Sequence, residues 1–268
     1  MSGNSASPGT SVLDRVTRIL DAFSGKRVML SLSDLARSAN LPPSTVHRLV
    51  HELVEWGGLE KTTDGTYTVG AHLWEIAVRA SRTQRLRDIA MPSILELLET
   101  TRQHVQVAVL SDDDALLIEK ISSQHAVETI GRVGGRLPLH ASAAGKALLA
   151  FATNEYQTSI LSGRLASYTP HTLTTPQALL ADLASIRDRG FALSTEELSI
   201  GAVSCAAAVT FRGQEAIAAI SVVMPTKAGP PRVWAQAVMK ASQDIERALA
   251  RPAKVAPLSA QLTGRRHR

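Results

Sequence analysis

Apolar positions along the first quarter of the chain repeat with a helical period. Val12, Leu13, Val16, Ile19, Leu20 and Phe23 fall on one face, and Gly25 closes the run. Leu35, Ala36 and Ala39 give a second, shorter face, with Ser33 as a natural N-cap and Leu32 placed as a hydrophobic staple. Asn40 suits a left-handed turn, and Pro42-Pro43 stop that helix and pre-set the first turn of another. In the third helix Val46, Leu49, Val50, Leu53 and Val54 form the apolar stripe, and Ser44, Thr45, His47, Arg48 and His51 lie opposite. Trp56-Gly57-Gly58 breaks the pattern. Residues 59–63 and 66–69 then flank Asp64-Gly65, a strong hairpin signal, with Leu59 and Val69 facing the core and Lys61 outward. Residues 71–90 predict one long helix with Leu73, Ile76, Ala77 and Ala80 as its stripe.

Met91-Pro92 restarts the chain, and Ile94, Leu95, Leu97 and Leu98 carry a helix to about Arg102. Alternation at Val105, Val107 and Val109, a turn at Asp112-Asp113-Asp114 and a return over 116–121 predict a hairpin. An apolar stretch follows at 127–130. Helices are expected over 142–152, from Thr175-Pro176 to Arg189-Gly190 and over 231–249, and strands over 191–194, 203–211 and 216–223. Consecutive hairpins with flanking helices indicate an α+β unit on one antiparallel sheet. The expected organisation is a tail over 1–10, a winged helix-turn-helix over 11–72, a linker helix over 73–90, a second domain over 91–252 and a basic tail over 253–268.

Composition bounds the function. The 268 residues are 44% apolar and 20% charged, enough for a sizeable core. The single cysteine, Cys205, excludes an internal disulfide framework and a cysteine-based zinc site, and fits a reducing, cytoplasmic setting. The longest apolar stretches, such as 216–224, are far short of the ~20 residues that cross a bilayer, and the first ten residues lack the blocks of a secretory signal. The net charge of +5 is unevenly placed: zero over 11–72, +2 over 73–90, −1 over 91–252 and +4 over 253–268. A nucleic-acid reading must therefore rest on local pattern rather than bulk charge.

That pattern is present. Two short helices with a tight turn, the second led by Pro43 and carrying Ser44, Thr45, His47, Arg48 and His51 outward, match a recognition helix followed by a wing. Small hydroxyls near a helix start bond phosphate oxygens, Arg48 can fork onto a guanine edge, and Lys61 on the wing can reach the phosphate backbone. A solvated helix surface is the competing explanation, and the order of elements argues against it. The HRLVH spacing lacks the glutamate of HExxH, so metal binding by His47 and His51 is not expected. The stretch Arg136 to Lys146 places small residues between Pro138 and a helix start, where N–H groups and a positive dipole end suit a carboxylate. It is not a Walker loop, because Ala147 follows Gly145-Lys146. The Asp112–Asp114 acids are expected to be solvated, and Cys205 to be a packing residue rather than a redox sensor. No catalytic constellation or cofactor loop stands out. An enzyme with a helical extension, or a winged helix that binds protein, are the rival readings.

The stretches SLSDLARSANLPPSTVHRLVHELVEWGGLEK, GRLPLHASAAGKALLAF, RGFALSTEELSIGAVSCAAAV and AIAAISVVMP resemble the IclR family of bacterial transcriptional regulators, over about Val12 to Leu249. The resemblance implies a winged helix, a linker helix and a GAF-like effector domain. It also implies a homodimer or dimer of dimers on palindromic double-stranded DNA operators. A ligand-responsive regulator follows, most simply a repressor of a catabolic operon sensing a small organic acid, with no cofactor and no membrane partner. Carried over by position, the effector contacts would be Thr129, Leu137, Ala143, Ala144, Glu196, Glu197, Cys205 and Ser221. This chain lacks the family's frequent proline near Ala208, and Val222-Val223 replace a hydroxyl after Ser221. Both changes leave room for a larger or aromatic acid.

Overall fold

The computed structural model describes residues 11–24, 27–79, 81–123, 131–211 and 214–251. Helix α1 (Val12–Asp21) starts at Ser11, whose side chain accepts from the Asp14 N–H, and a 3-10 turn brings Phe23 into the core. Helix α2 (Leu32–Ala39) ends on Asn40 in the left-handed conformation, as its sequence predicts. Its N-cap is Ser31 rather than Ser33. Ser31 Oγ accepts from the Asp34 N–H while the Asp34 carboxylate accepts from the Ser31 N–H, a reciprocal box that Ser33 has no acid to complete. Helix α3 (Pro43–Glu55) carries Pro43 in its first turn and buries Val46, Leu49, Val50 and Leu53 against Ile19, Leu35 and Leu59.

Strands β1 (Leu59–Lys61) and β2 (Tyr67–Val69) pair antiparallel, so the wing is present, with shorter strands and a longer loop than expected. Leu59 is buried, but Val69, its cross-strand partner, is 45% exposed. The wing leads into α4 (Ala71–Ala77). Gly70 permits this: a Cβ there would lie 2.2 Å from the Gly57 carbonyl oxygen, and the Gly70 N–H bonds the Gly58 carbonyl.

The long helix expected over 71–90 is two helices. α4 stops at Ala77, and α5 (Ser81–Thr101) runs on through Met91 and Pro92 without a restart. Proline normally breaks a helix interior. Here Leu86, Ala90, Ile94 and Leu97 form one buried stripe across the proline, and that packing holds the helix continuous.

The second unit is a six-stranded antiparallel sheet in the order β5-β4-β3-β8-β7-β6. Its strands are β3 (His104–Ser111), β4 (Asp114–Ile121), β5 (Arg136–Pro138), β6 (Ala192–Thr195), β7 (Ala202–Thr210) and β8 (Ala216–Pro225). Helices α5 and α9 (Ala235–Ala250) cover one face, meeting Val105, Val107, Val203, Cys205, Ile220 and Val222. Helices α6 (Ala143–Ala150) and α8 (Pro176–Arg189) cover the other, meeting Ala108, Leu117, Ala206 and Ala219. Period-two alternation assigns the strand residues to their faces, except where a bulge in the β3–β4 pairing brings Ile118 and Ile121 to the same one. The expected α+β class, with an N-terminal winged helix-turn-helix and an antiparallel sheet unit, is the observed one. Strand β5 and helix α7 (Asn154–Ser162) are additions to the sequence reading. The stretch 127–130, both tails and Gly25 lie outside the described residues.

Candidate nucleic-acid interface and ligand cavity

The polar side of α3 is open. Pro43, Ser44, His47, Arg48 and His51 are exposed, Thr45 is half-buried, and Lys61 on the wing is exposed. The helix projects this face because the opposite stripe is fully used in the core. Arg48 Nη1 sits 2.6 Å from Glu52 Oε1, and His51 lies 3.6 Å from Glu55. Both are exposed i, i+4 pairs of small energetic weight, so the Arg48 guanidinium can be redirected to a base edge at little cost. The sequence reading had not placed Glu52 in this face.

The second site lies between the sheet and the start of α6. The cavity proper is small, about 60 Å³, and opens to solvent at its mouth. Leu137 of β5 and Ala143 and Ala144 of α6 form one wall. The floor comes from the sheet. Gln106 and Ser221 are cross-strand partners on β3 and β8, and Ser204 and Ser194 are partners on β7 and β6. Leu198 and Ser199, on the β6–β7 connection, close the far side. The described lining carries no ionisable side chain.

Two features make this a place for a polar group. Ser221 is 1% exposed, and its hydroxyl has no hydrogen-bond partner among the described residues. A buried hydroxyl left without a partner is costly, so its direction toward a cavity marks where a ligand atom is wanted. Ser142 caps α6, its Oγ accepting from the Gly145 N–H, and the first-turn N–H groups behind it have no carbonyl within their own helix. The cap is tightly built: a Cβ on Gly145 would lie 2.6 Å from Leu139 Cα. Ser194 donates to the Ala141 carbonyl and tethers this loop to the sheet.

Of the expected effector residues, Leu137, Ala143, Ala144 and Ser221 line the cavity. Three do not. Cys205 alternates to the opposite face of β7, packed beneath α5 and α9, where burial pushes its thiol up to about 12. Glu196 has φ +57 and turns its carboxylate back onto the Gly201 N–H. Glu197 points away from the cavity and grips Lys146 of α6 at 2.7 and 2.8 Å. Thr129 lies outside the described residues. Gln106, Ser194, Leu198, Ser199 and Ser204 are lining residues the sequence reading missed. Alternation held the clue, since Gln106 and Ser204 fall on the face opposite Val105 and Cys205.

Asp112 and Asp114 pair with Arg136, and burial pushes the Asp114 carboxyl above its ordinary range. Among the described residues, no cluster of three or more His, Cys, Asp or Glu could hold a metal ion, and no helix is long and apolar enough to cross a membrane.

Comparison with known proteins adds to this geometry. Residues 12–63 match the family model of the IclR helix-turn-helix domain, and residues 78–247 that of the bacterial transcriptional regulator IclR C-terminal domain. The transcriptional repressor IclR of Escherichia coli K12 is 33% identical over 225 residues, covering 81% of this chain and 82% of that protein. The regulator BhcR of Paracoccus denitrificans is 34% identical over 226 residues, covering 84% and 81%. Among solved structures, an IclR homologue from Microbacterium hydrocarbonoxydans complexed with 4-hydroxybenzoate has a TM-score of 0.83 and 37% identity, covering 89% of this chain and 99% of that one.

Proposed function

The chain belongs to the IclR family of bacterial transcriptional regulators, and from that premise we propose that it is a cytoplasmic repressor whose grip on a palindromic operator is set by a small aromatic acid. As a family member it is a DNA-binding regulator, not an enzyme. The operator, the acid and the control of a catabolic operon are our reading.

The orphaned Ser221 hydroxyl carries the ligand half of the reading. It sits beside Gln106 on a floor of neutral polar groups, with apolar walls and the α6 start above. Such a cavity suits a flat apolar body with one anionic end held by N–H and O–H donors rather than by a cation. The homologue that holds 4-hydroxybenzoate makes that compound the first to try.

A dimer follows from surfaces the chain leaves uncovered. Leu13 on α1 is 71% exposed, and Trp74 and Ile76 on α4 are 65% and 50% exposed. Large apolar side chains left exposed on the first and last helices of the reading unit favour pairing with a second copy, which sets two recognition helices on two half-sites. A further pairing of dimers would give the dimer of dimers. Ligand binding is then regulatory only through a difference in affinity between the DNA-competent and incompetent states.

The test uses DNA selected by the full-length protein from a random duplex library. Arg48→Ala should cost about 1–3 kcal/mol of affinity for the selected sequence with the fold intact. 4-hydroxybenzoate should weaken wild-type binding ~5–150-fold. Unchanged affinity in Arg48→Ala removes the base contact, and failure to enrich any sequence removes the operator.

A further inference from the structure

Lys146 is the most buried charge in the described structure, at 1% exposure. It stands on α6, one turn beyond the cavity wall at Ala143-Ala144. Its Nζ donates to both Glu197 oxygens and lies 2.8 Å from Asp182 Oδ2 on α8. Asp182 in turn meets Arg189 at 3.2 Å. Nothing in DNA reading or in ligand contact uses these four charges. Burying Lys146 and Glu197 is expensive, and an apolar pair of equal volume often stabilises a protein as well or better, so stability alone does not account for the pair.

Position supplies one. Glu197 directly precedes Leu198 and Ser199, which close the far side of the cavity. The segment 196–201 runs between two residues with positive φ, Glu196 at +57° and Gly201 at +82°. The first is uncommon for a residue with a Cβ, so the segment's own preferences do not fix its shape. Ties from outside do. The Thr169 and Thr172 hydroxyls donate to the Glu196 and Glu197 carbonyls, and within the segment the Glu196 carboxylate accepts from the Gly201 N–H. Glu197 is the one side chain of the segment that bonds α6, through a two-oxygen grip with a defined direction.

We propose that Lys146, Glu197 and Asp182 are positioning residues: their charges hold 196–201 as the closing wall of the cavity, and so set how tightly ligand is retained without touching it. This rests on the ligand reading above, and it explains why a family-based assignment of Glu197 to the ligand meets a carboxylate aimed elsewhere.

The decisive variant is Lys146→Met with Glu197→Leu in the full-length chain, which removes the pair at similar volume and leaves Asp182 with Arg189. A purely structural pair predicts that ligand affinity follows stability. Positioning predicts that they part. The unfolding midpoint should equal or exceed wild type. Backbone amide exchange over 198–202 should quicken about 10-fold, and 4-hydroxybenzoate should bind about 10-fold more weakly, the scale of one charge-assisted hydrogen bond. Ligand-free DNA affinity should not change. Exchange at the wild-type rate overturns the proposal whatever the ligand does, as does wild-type affinity with faster exchange. Wild-type protein that takes up no 4-hydroxybenzoate refutes that choice of ligand, and the exchange rates then decide the wall alone. If the double variant does not fold, Glu197→Gln, which keeps the side-chain shape, is measured by the same readouts.

Discussion

Ser221→Ala should separate stability from binding in opposite directions. The side chain is 1% exposed, and its hydroxyl meets no partner among the described residues. Removing it therefore breaks no internal hydrogen bond. It also relieves a buried group whose lost hydration costs ~1–3 kcal/mol. The methyl that remains still packs beside Gln106 and Ala206, its neighbours across β3 and β7. The ligand-free variant should accordingly be as stable as wild type in urea, or more stable by about 1 kcal/mol. The bound state loses what the hydroxyl gave the ligand. A neutral partner on the ligand makes that about 0.5–1.5 kcal/mol, and a carboxylate about 1.5–3 kcal/mol, or roughly 10–150-fold in affinity. Calorimetric titration with 4-hydroxybenzoate, run beside urea unfolding of the free protein, gives both numbers. A loss of 1 kcal/mol or more in the free protein would show that the hydroxyl has an internal partner. Equal affinity in both proteins would show that it does not face the ligand. Either result refutes the reasoning.

Gly145→Ala should destabilise by about 1–3 kcal/mol and weaken ligand binding, because the new methyl meets the Leu139 backbone at 2.6 Å and forces α6 away from the loop it caps; thermal unfolding and titration check it. The hydrogen bonds from Ser31 to the Asp34 carboxylate hold that carboxyl below its ordinary 3.8. A depressed folded value gives stability that is complete above 3.8 and lost as pH falls through the lower folded value, so wild type should lose more stability than Asp34→Asn between about pH 5 and pH 2 in acid-unfolding curves. With its thiol pushed up to about 12, Cys205 should resist iodoacetamide at neutral pH in the folded protein and react once urea exposes it, as mass spectrometry would record.

How much of this was legible in the sequence depends on whether the deciding force was local. The third helix and the wing could be placed because Pro43, the Val46-to-Val54 stripe and Asp64-Gly65 each act over a few residues. The break between α4 and α5 had no such mark. No glycine or proline stands at 78–80, while the proline that does occur, Pro92, is overridden by core contacts from Leu86 to Leu97. The cavity was half legible. Small residues before α6 announced one wall, but which of two adjacent glutamates turns inward depends on the positive φ at Glu196, and neither turns toward the cavity. Cys205 was the more avoidable error. Alternation along β7 groups it with Val203, Ala207 and Val209 on the face covered by α5 and α9, and a motif match drew it to the other one.

The uninterrupted course of α5 has a consequence for anyone recombining such proteins. A chimera spliced at residue 91 would sever one continuous helix that packs on the sheet from Leu86 to Leu97. The usable seam is the short break ahead of it, after α4. There too the fit is rotational: one extra residue in a helix turns whatever it carries by about 100° and advances it 1.5 Å. A foreign reading head joined to this sensor would have to match its screw phase, not merely its length.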